Sequence, residues 1–123
     1  MTNQEIGILG ENAAADLLIK EGYAILERNY RVGHLEVDII ALKNGVIVFV
    51  EVKTRAADYL VAPQEAVNKQ KQKFIINAAN GYIRRYNRTE EARLDVITVL
   101  HKSGKIVSVN HIENAYYPTV RSF

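Results

Sequence analysis

The sequence contains no cysteine among its 123 residues, and it has no long run of apolar side chains. Without cysteine there is no disulfide framework and no thiolate metal site, and this absence fits a reducing compartment. No stretch approaches the roughly 20 apolar residues that a membrane helix requires. The N-terminus also lacks the basic start and apolar core of a secretory signal peptide. We therefore expect a cytoplasmic protein that does not cross a membrane.

A strong net charge is also missing, since the formal charge is +2 at pH 7. That value alone says little about partners, but the charges are unevenly distributed. Residues 64–88 hold six basic side chains and one acidic one. A local basic stretch of this kind is what a nucleic-acid phosphate backbone would contact.

Length and composition limit the architecture. A chain of 123 residues with 48% hydrophobic and 24% charged residues is typical of one soluble globular domain. Such a domain can bury a core without disulfides or a structural metal. We assign the domain to residues 1–115 and a C-terminal tail to residues 116–123.

The strongest local signal lies in residues 36–53, where two apolar, β-branched runs flank Asn44-Gly45. This dipeptide between such runs is the best short-range indicator of a β-hairpin. If these two residues form the loop, Lys43 pairs with Val46, and the rest of the register follows by counting outward.

The counted register places Asp38 opposite Glu51 and Glu36 opposite Lys53. Because side chains alternate along a strand, all four would lie on one face. Like charges directly opposite each other destabilise a sheet, and apolar neighbours remove water from a carboxylate. A bound Mg²⁺ or Mn²⁺ would relieve both penalties, since hard cations take oxygen ligands. The alternative is an ordinary Glu36–Lys53 ion pair, with the other two carboxylates at a wet sheet edge.

Hydrophobic periodicity alternates between helix and strand along the rest of the chain. The order α-β-β-β-α-β-β predicts an α/β (α+β) fold with a central mixed sheet flanked by helices. Asp95 interrupts an apolar strand, and we expect it to bind Arg93 or a backbone amide rather than a metal. The predicted elements outside the hairpin are a helix over 3–20 capped by Thr2 or Asn3 and ended by Gly22, a strand over 23–30, a loop over 54–62, a long helix opening at Pro63-Gln64-Glu65, and strands over 93–100 and 106–112.

The hairpin also carries the spacing Glu36-x-Asp38, twelve residues, then Glu51-Val52-Lys53. This spacing resembles the core of the PD-(D/E)xK nuclease superfamily. More narrowly, the chain resembles the YraN-like family of uncharacterised bacterial proteins, which is similar to archaeal Holliday-junction resolvases. Leu35 and Val37 depart from the pattern, where the family often has glycine and the superfamily name has proline. The matching segments are Gly10-Glu11-x-x-Ala14, Asn29-x-Arg31, Glu36-Val37-Asp38, Val48-Phe49-Val50-Glu51-Val52-Lys53-x-Arg55, Glu65-Ala66-Val67, Lys71-Gln72, Arg93-x-Asp95-Val96 and Ile112-Glu113-Asn114-Ala115.

The resemblance implies a restriction-endonuclease-like fold and a metal-dependent endonuclease that hydrolyses phosphodiester bonds in DNA. It also implies branched or otherwise structured DNA as the substrate, and a two-fold junction would call for a homodimer. The ion would be Mg²⁺ or Mn²⁺, and the lysine would position the attacking water. The implied metal ligands are Asp38, Glu51, the carbonyl of Val52, and Glu11, and the implied catalytic residues are Asp38, Glu51, Lys53 and Glu36.

Candidate contacts to a nucleic-acid backbone come from basic side chains and their neighbours. Arg55 points the same way as Lys53 if the strand persists, and it either clamps a phosphate or solvates the strand end. Lys71 lies at the margin of the apolar stripe of the second helix, directed either at the site or at solvent. The full set is Arg31, Arg55, Lys69, Lys71, Gln72 and Lys73.

Two other functions stay open from the sequence. A nucleic-acid-binding or interaction module would keep the fold without turnover, and the basic helix supports binding under either hypothesis. A structural adaptor would use Mg²⁺ only to hold the hairpin. The combination of Asp38, Glu51 and Lys53 favours the enzyme, because a binding module does not need three such groups at one point.

Overall fold

The computed structural model describes residues 1–58 and 69–115, which form one β-sheet with a helix packed on each face. The α-β-β-β-α-β-β order and the α+β class are confirmed. The elements are α1 (Asn3–Lys20), β1 (Ala24–Val32), β2 (Leu35–Lys43), β3 (Val46–Ala56), α2 (Lys69–Arg85), β4 (Glu91–Lys102) and β5 (Lys105–Ile112).

The five strands lie in the sheet in chain order. The pairs β1–β2, β2–β3 and β4–β5 are antiparallel, whereas β3 and β4 are parallel. Antiparallel neighbours need only tight turns, but a parallel pair needs a crossover, and α2 lies in that connection. The sheet is therefore mixed, as predicted, with β3 at its centre.

Two hydrophobic cores lie on opposite faces of the sheet. Phe49 packs under α2 with Ile75 and Tyr82, whereas the preceding residue, Val48, packs under α1 with Leu18. Because successive residues of a strand point to opposite faces, a central strand covered on both sides consists of consecutive apolar residues. No helix within residues 1–58 and 69–115 is long and apolar enough to span a membrane.

Helix α1 has its predicted bounds. The hydroxyl of Thr2 accepts the Glu5 amide at 3.1 Å, and the Glu5 carboxylate accepts the Thr2 amide at 2.9 Å, which closes a capping box. Gly22 follows the helix with a φ of 96°, a left-handed conformation that glycine adopts at low cost.

Gly10 has a different role, because a Cβ there would lie 1.9 Å from the Thr54 hydroxyl. Its missing side chain lets α1 lie directly on β3.

Several predicted strand boundaries are wrong. β1 extends to Val32, so the turn into β2 is reduced to Gly33-His34. β3 continues to Ala56 and includes three residues of the predicted loop over 54–62. The parallel ladder explains this extension, since Ala56 still pairs with His101 of β4. Tertiary pairing of this kind lengthens a strand beyond its local sequence pattern.

Three predictions lie wholly or partly outside the described residues: the loop over 54–62 from residue 59 onward, the helix start at 63–65 and the tail over 116–123. Within α2, the apolar stripe is confirmed by the burial of Ile75 and Tyr82. Phe74 and Tyr86 are also aromatic residues, but they are 36% and 45% exposed. The ring of Phe74 contacts that of His34, and the ring of Tyr86 contacts that of Tyr82. Phe74 and Tyr86 are therefore only partly covered.

Candidate active site

The counted hairpin register holds over five pairs and stops at Ile39–Val50. Val37 belongs to the core under α2 and Ile39 to the core under α1, although they are two positions apart. Regular alternation would place both on one face. The alternation of β2 therefore breaks at Asp38, and the predicted ladder pairs beyond this point do not form.

Asp38 nevertheless meets β3. Its Oδ2 atom accepts the amide of Val52 at 2.8 Å, and its side chain is hydrogen-bonded to that of Glu51. Glu36 was expected opposite Lys53, but its carboxylate instead pairs at 2.9 Å with Arg31, its partner across the β1–β2 ladder. Two of the three predicted carboxylates thus come together, through the break in β2 rather than through regular pairing.

Burial raises the pKa of Asp38 to about 7. The charge of Glu51 and the hydrogen bond between the two side chains add to this increase, and the Val52 amide opposes it. Two adjacent acids with little water around them are not both charged without a counterion, because each disfavours the ionised form of the other. The pair therefore holds a proton or has a cation beside it, either a neighbouring ammonium group or a bound metal ion.

Glu51 contacts the ammonium groups of two lysines that belong to different elements. Its side chain is only 6% exposed, and its Oε1 atom lies 3.6 Å from Nζ of Lys53 in β3 and 3.6 Å from Nζ of Lys71 in α2. The Lys53 side chain is 19% exposed and that of Lys71 is 41% exposed. Glu51 and Lys53 lie together, as their spacing on one strand predicts.

Glu11 reaches the same region from α1. Burial raises its pKa, and the charge of Asp38 adds to the increase, whereas Arg28 and Asn29 act in the opposite direction. The close approach of Gly10 to β3 places this part of α1 against the sheet. Glu11 is therefore within electrostatic reach of Asp38, and its role as a metal ligand stays a prediction.

The donor atoms at this site are hard oxygens, which suit Mg²⁺ or Mn²⁺. Asp38 and Glu51 supply two carboxylates, the number that Mg²⁺ commonly takes beside water and phosphate oxygens. Across residues 1–58 and 69–115, no group of three or more His, Asp or Glu side chains is arranged to hold a metal ion. An ion at Asp38 and Glu51 would therefore complete its coordination with water or substrate.

The lysines of α2 lie in the part of the helix nearest the site. Lys71 contacts Glu51, Lys69 and Lys73 are exposed, and Gln72 is partly buried. The arginines at positions 84 and 85 follow Lys71 by more than three turns, about 20 Å along the helix axis. The predicted basic stretch is thus divided into two patches, and only the lysine patch adjoins the carboxylates.

The two arginine candidates differ in their contacts. β3 persists through Arg55, and its guanidinium donates to the carbonyl oxygen of Thr54 at 2.9 Å. The Arg31 side chain is 72% exposed while it holds Glu36. Glu36 in turn adds to the increased pKa of Asp38, so Arg31 presents a positive charge to solvent near the site.

Another aspartate, Asp95, lies in β4 and is fully enclosed. Arg93 donates to its two oxygens at 2.9 and 3.0 Å, His111 Nε2 lies 2.7 Å from Oδ2, and the amide of Asn114 donates at 3.1 Å. Burial acts to raise the pKa of Asp95, but the hydrogen bonds from His111 and Arg93 and the charge of Arg93 outweigh it and hold that pKa below its usual value. Both expected partners of Asp95, Arg93 and a backbone amide, are present.

One contact was left open by the sequence, and another was missed. The ammonium of Lys71 is directed at the site, where it approaches the buried Glu51, and its place at the margin of the helical stripe was the signal for this alternative. His111 joins the Asp95 cluster from β5 and also contacts Glu21 at 2.9 Å. No local pattern connects residues that lie in different strands.

The fold and the site together define an α+β protein whose mixed sheet carries two adjacent, largely buried carboxyl groups beside a lysine. The chain belongs to the uncharacterised protein family UPF0102, whose family model matches residues 10–99. This confirms the resemblance to the YraN-like family. The matched segment contains Glu11, Asp38, Glu51 and Lys53.

Named relatives are similar over nearly their whole length. A UPF0102 protein of Trichlorobacter lovleyi is 49% identical over 117 residues, which cover 93% of this chain and 91% of that protein. One from Bacteroides fragilis is 44% identical over 113 residues, with 92% and 93% covered. One from Dictyoglomus thermophilum is 44% identical over 118 residues, with 94% and 100% covered. These names assign no activity.

Proposed function

We propose that this protein is a metal-dependent endonuclease that hydrolyses phosphodiester bonds in DNA. The observation that supports the proposal is the contact between the carboxyl groups of Asp38 and Glu51, with Nζ of Lys53 3.6 Å from Glu51. Two acids in contact destabilise a fold unless a cation or a proton separates them. A divalent ion and a lysine ammonium can both stabilise the negative charge that develops in phosphoryl hydrolysis.

The residues of the site divide the chemistry among them. Asp38 and Glu51 would hold Mg²⁺ or Mn²⁺, with the carbonyl of Val52 as a further ligand and Glu11 acting through water. The bound ion would polarise the phosphate and lower the pKa of a water molecule. Lys53 would orient that water and stabilise the negative charge that develops on the phosphate. The Val52 amide holds Asp38 in place for this role.

Charge around the site supports a nucleic-acid substrate. The exposed side chains of Lys69, Lys73 and Arg31 would contact phosphates on either side of the scissile bond. Branched or otherwise structured DNA is the substrate class that the resemblance to junction resolvases implies. A two-fold symmetric junction would be bound by a homodimer in the cytoplasm.

A nucleic-acid-binding module without turnover is the second candidate. It is supported by the two lysines that already neutralise Glu51. The described residues also offer no group of three acidic or histidine side chains arranged for a metal. Both functions predict binding to DNA, and they differ in whether a product forms.

The test is incubation of the pure protein with duplex, nicked, flapped, single-stranded and four-way-junction DNA in Mg²⁺, Mn²⁺ or EDTA. The enzyme should cleave at least one substrate with metal and none in EDTA. Glu51→Gln should abolish cleavage, whereas Asp16→Asn, which removes an exposed carboxylate from α1, should not. Binding of DNA without a product under every condition would support the binding module instead.

A further inference from the structure

Two ammonium groups share one carboxylate oxygen at Glu51, and they are held differently. Lys53 is two residues from Glu51 on the same strand, and its side chain is 19% exposed. Lys71 reaches Glu51 from α2, which packs on the face of the sheet that carries Glu51, and its side chain is 41% exposed. A lysine ammonium sits on a flexible four-carbon stem, so Lys71 can leave Glu51 for solvent more easily than Lys53 can.

A metal ion changes the charge balance of this cluster. An ion on Asp38 and Glu51 would bring two positive charges close to both ammonium groups. Like charges at such distances repel strongly where water is partly excluded. One ammonium must withdraw, and Lys71 is the more exposed of the two.

We propose that Lys71 is the exchangeable counterion of Glu51. Its ammonium neutralises the carboxylate in the metal-free protein, and metal binding displaces it toward solvent, where a substrate phosphate would receive it. This inference rests on the proposed metal-dependent function and adds how the site is regulated. Because coupling between two ligands is reciprocal, metal would strengthen DNA binding through Lys71, and DNA would strengthen metal binding.

The chain offers matched controls on the same helix. Lys69 and Lys73 lie two residues before and after Lys71, and both are exposed. With 3.6 residues per turn, each points about 200° away from Lys71. Lys69→Gln and Lys73→Gln therefore remove the same charge from the same helix without removing the contact to Glu51.

The first measurement is calorimetric titration of Mn²⁺ into the full chain without DNA. Lys71→Gln should bind Mn²⁺ at least about 5-fold more tightly than the wild type, the lower range of a typical coupling between sites. Lys69→Gln and Lys73→Gln should change the affinity little, since solvent and salt screen exposed charges. Lys71→Arg, which keeps a cation, should stay close to the wild type.

The second measurement is the affinity for a short DNA duplex with Ca²⁺ or with EDTA, followed by fluorescence anisotropy. Ca²⁺ is a hard cation that also takes carboxylate oxygens. It should tighten DNA binding by the wild type, Lys69→Gln and Lys73→Gln, and by Lys71→Gln much less. Melting curves of each variant serve as the check that the fold is retained.

Two results would overturn the inference, and they are distinguishable. If Lys71→Gln binds Mn²⁺ no more tightly than Lys69→Gln while the wild type binds Mn²⁺, Lys71 is not the exchangeable counterion and the proposed enzyme stands. If the wild type binds no Mn²⁺ at millimolar concentration, with or without DNA, the metal-dependent function fails together with this inference.

Discussion

Asp38 and Asp95 lie in one sheet and have their pKa values shifted in opposite directions. Asp95 receives hydrogen bonds from Arg93, His111 and a backbone amide, and its pKa is held low in spite of complete burial. Asp38 receives one amide and faces a second acid, and its pKa is raised to about 7. A buried carboxylate with a permanent cation is a structural element. A buried carboxylate that lacks a permanent cation is a candidate site for an exchangeable one.

The Asp95 cluster and the Asp38–Glu51 cluster lie near each other along the β3–β4 ladder but on opposite faces of the sheet. In the parallel β3–β4 pair, Val50 opposes Asp95 and the next residue, Glu51, opposes Val96. Alternation therefore sends Asp95 toward α1 and Glu51 toward α2. The Asp95 cluster ties the end of α1 to β4 and β5 through His111, which also contacts Glu21. The Asp38–Glu51 cluster is connected to α2 through the contact between Lys71 and Glu51.

The largest difference that we expect between the two aspartates is in the free energy of unfolding of their asparagine variants. Asp95→Asn removes the charge opposite the mostly buried Arg93, and we expect a loss of about 3–5 kcal/mol in the free energy of unfolding, as for other broken buried pairs. Near and above pH 7, Asp38→Asn removes a charge conflict in the metal-free protein, so it should leave stability unchanged or increase it. Urea unfolding in EDTA measures both. Equal losses in the two variants would mean that Asp38 is structural as well.

The second effect is on catalysis. Lys53→Ala should lower cleavage by about 10²-fold at saturating DNA, the scale expected when a charge-stabilising group is removed, while DNA binding stays nearly intact. Lys105→Ala removes an exposed lysine at the start of β5 and serves as the control. A wild-type rate in Lys53→Ala would remove this lysine from the mechanism.

The third effect is stabilisation by metal. At about ten times its dissociation constant, Mg²⁺ should stabilise the wild type by roughly 1.4 kcal/mol through mass action, which raises the melting temperature of a domain of this size by about 4 °C. Asp38→Asn should lose this response, and Asp95→Asn, where it folds, should keep it. Melting curves with and without Mg²⁺ provide the measurement, and a response retained in Asp38→Asn would place the ion elsewhere.

The fold was predictable where local signals agree. Asn44-Gly45 and the flanking apolar runs predicted five ladder pairs correctly, because turn chemistry and strand pattern specify the same register. The capping residue Thr2 and the terminal Gly22 likewise predicted the bounds of α1. The α-β-β-β-α-β-β order followed from the same periodicities.

The site was predictable only in part, because its geometry depends on an irregularity. Asn29 would oppose Asp38 in β1, but it takes a φ of 53°, and this pair is missing from the ladder. Counting along a regular strand cannot detect such a break, which nonetheless turns Asp38 toward Glu51. The Lys71–Glu51 contact is also a product of tertiary packing, since it depends on where α2 crosses the sheet.

The fourth expected effect is on the pH dependence of folding stability, to which the two aspartates contribute in opposite directions. The folded pKa of Asp38, about 7 against 3.8 in the unfolded chain, means that the folded state keeps a proton that the unfolded state has lost. Stability should therefore fall as the pH rises from about 4 to 7. Asp95 has a lowered pKa, so its contribution is present above its unfolded value and is lost on acidification.

Unfolding free energies of the metal-free protein between pH 4.5 and 6 isolate this difference. His111 has a raised pKa, and its stabilising contribution is lost only at higher pH, so it does not interfere in this range. Asp38→Asn should flatten the decline in stability relative to the wild type, and Asp95→Asn should not. A decline of the same slope in Asp38→Asn would contradict the assignment.

The smallest expected effect is on the salt dependence of DNA binding. This measurement shows which face of the sheet contacts the phosphates. Each phosphate contact contributes about 0.9 to the slope of log K against log salt concentration. If the Asp38 side is the substrate face, replacing Lys69, Lys71 and Lys73 together by alanine should make the slope shallower by about 2 to 3. Lys20→Ala, beside the α1 end that the Asp95 cluster holds, should leave the slope unchanged. A slope that responds to Lys20 and not to the three lysines would place DNA on the α1 face, where Asp95 has no unfilled bonding capacity for a metal. The raised pKa of Asp38 would then reflect its burial and its acidic neighbours, with no role in binding DNA.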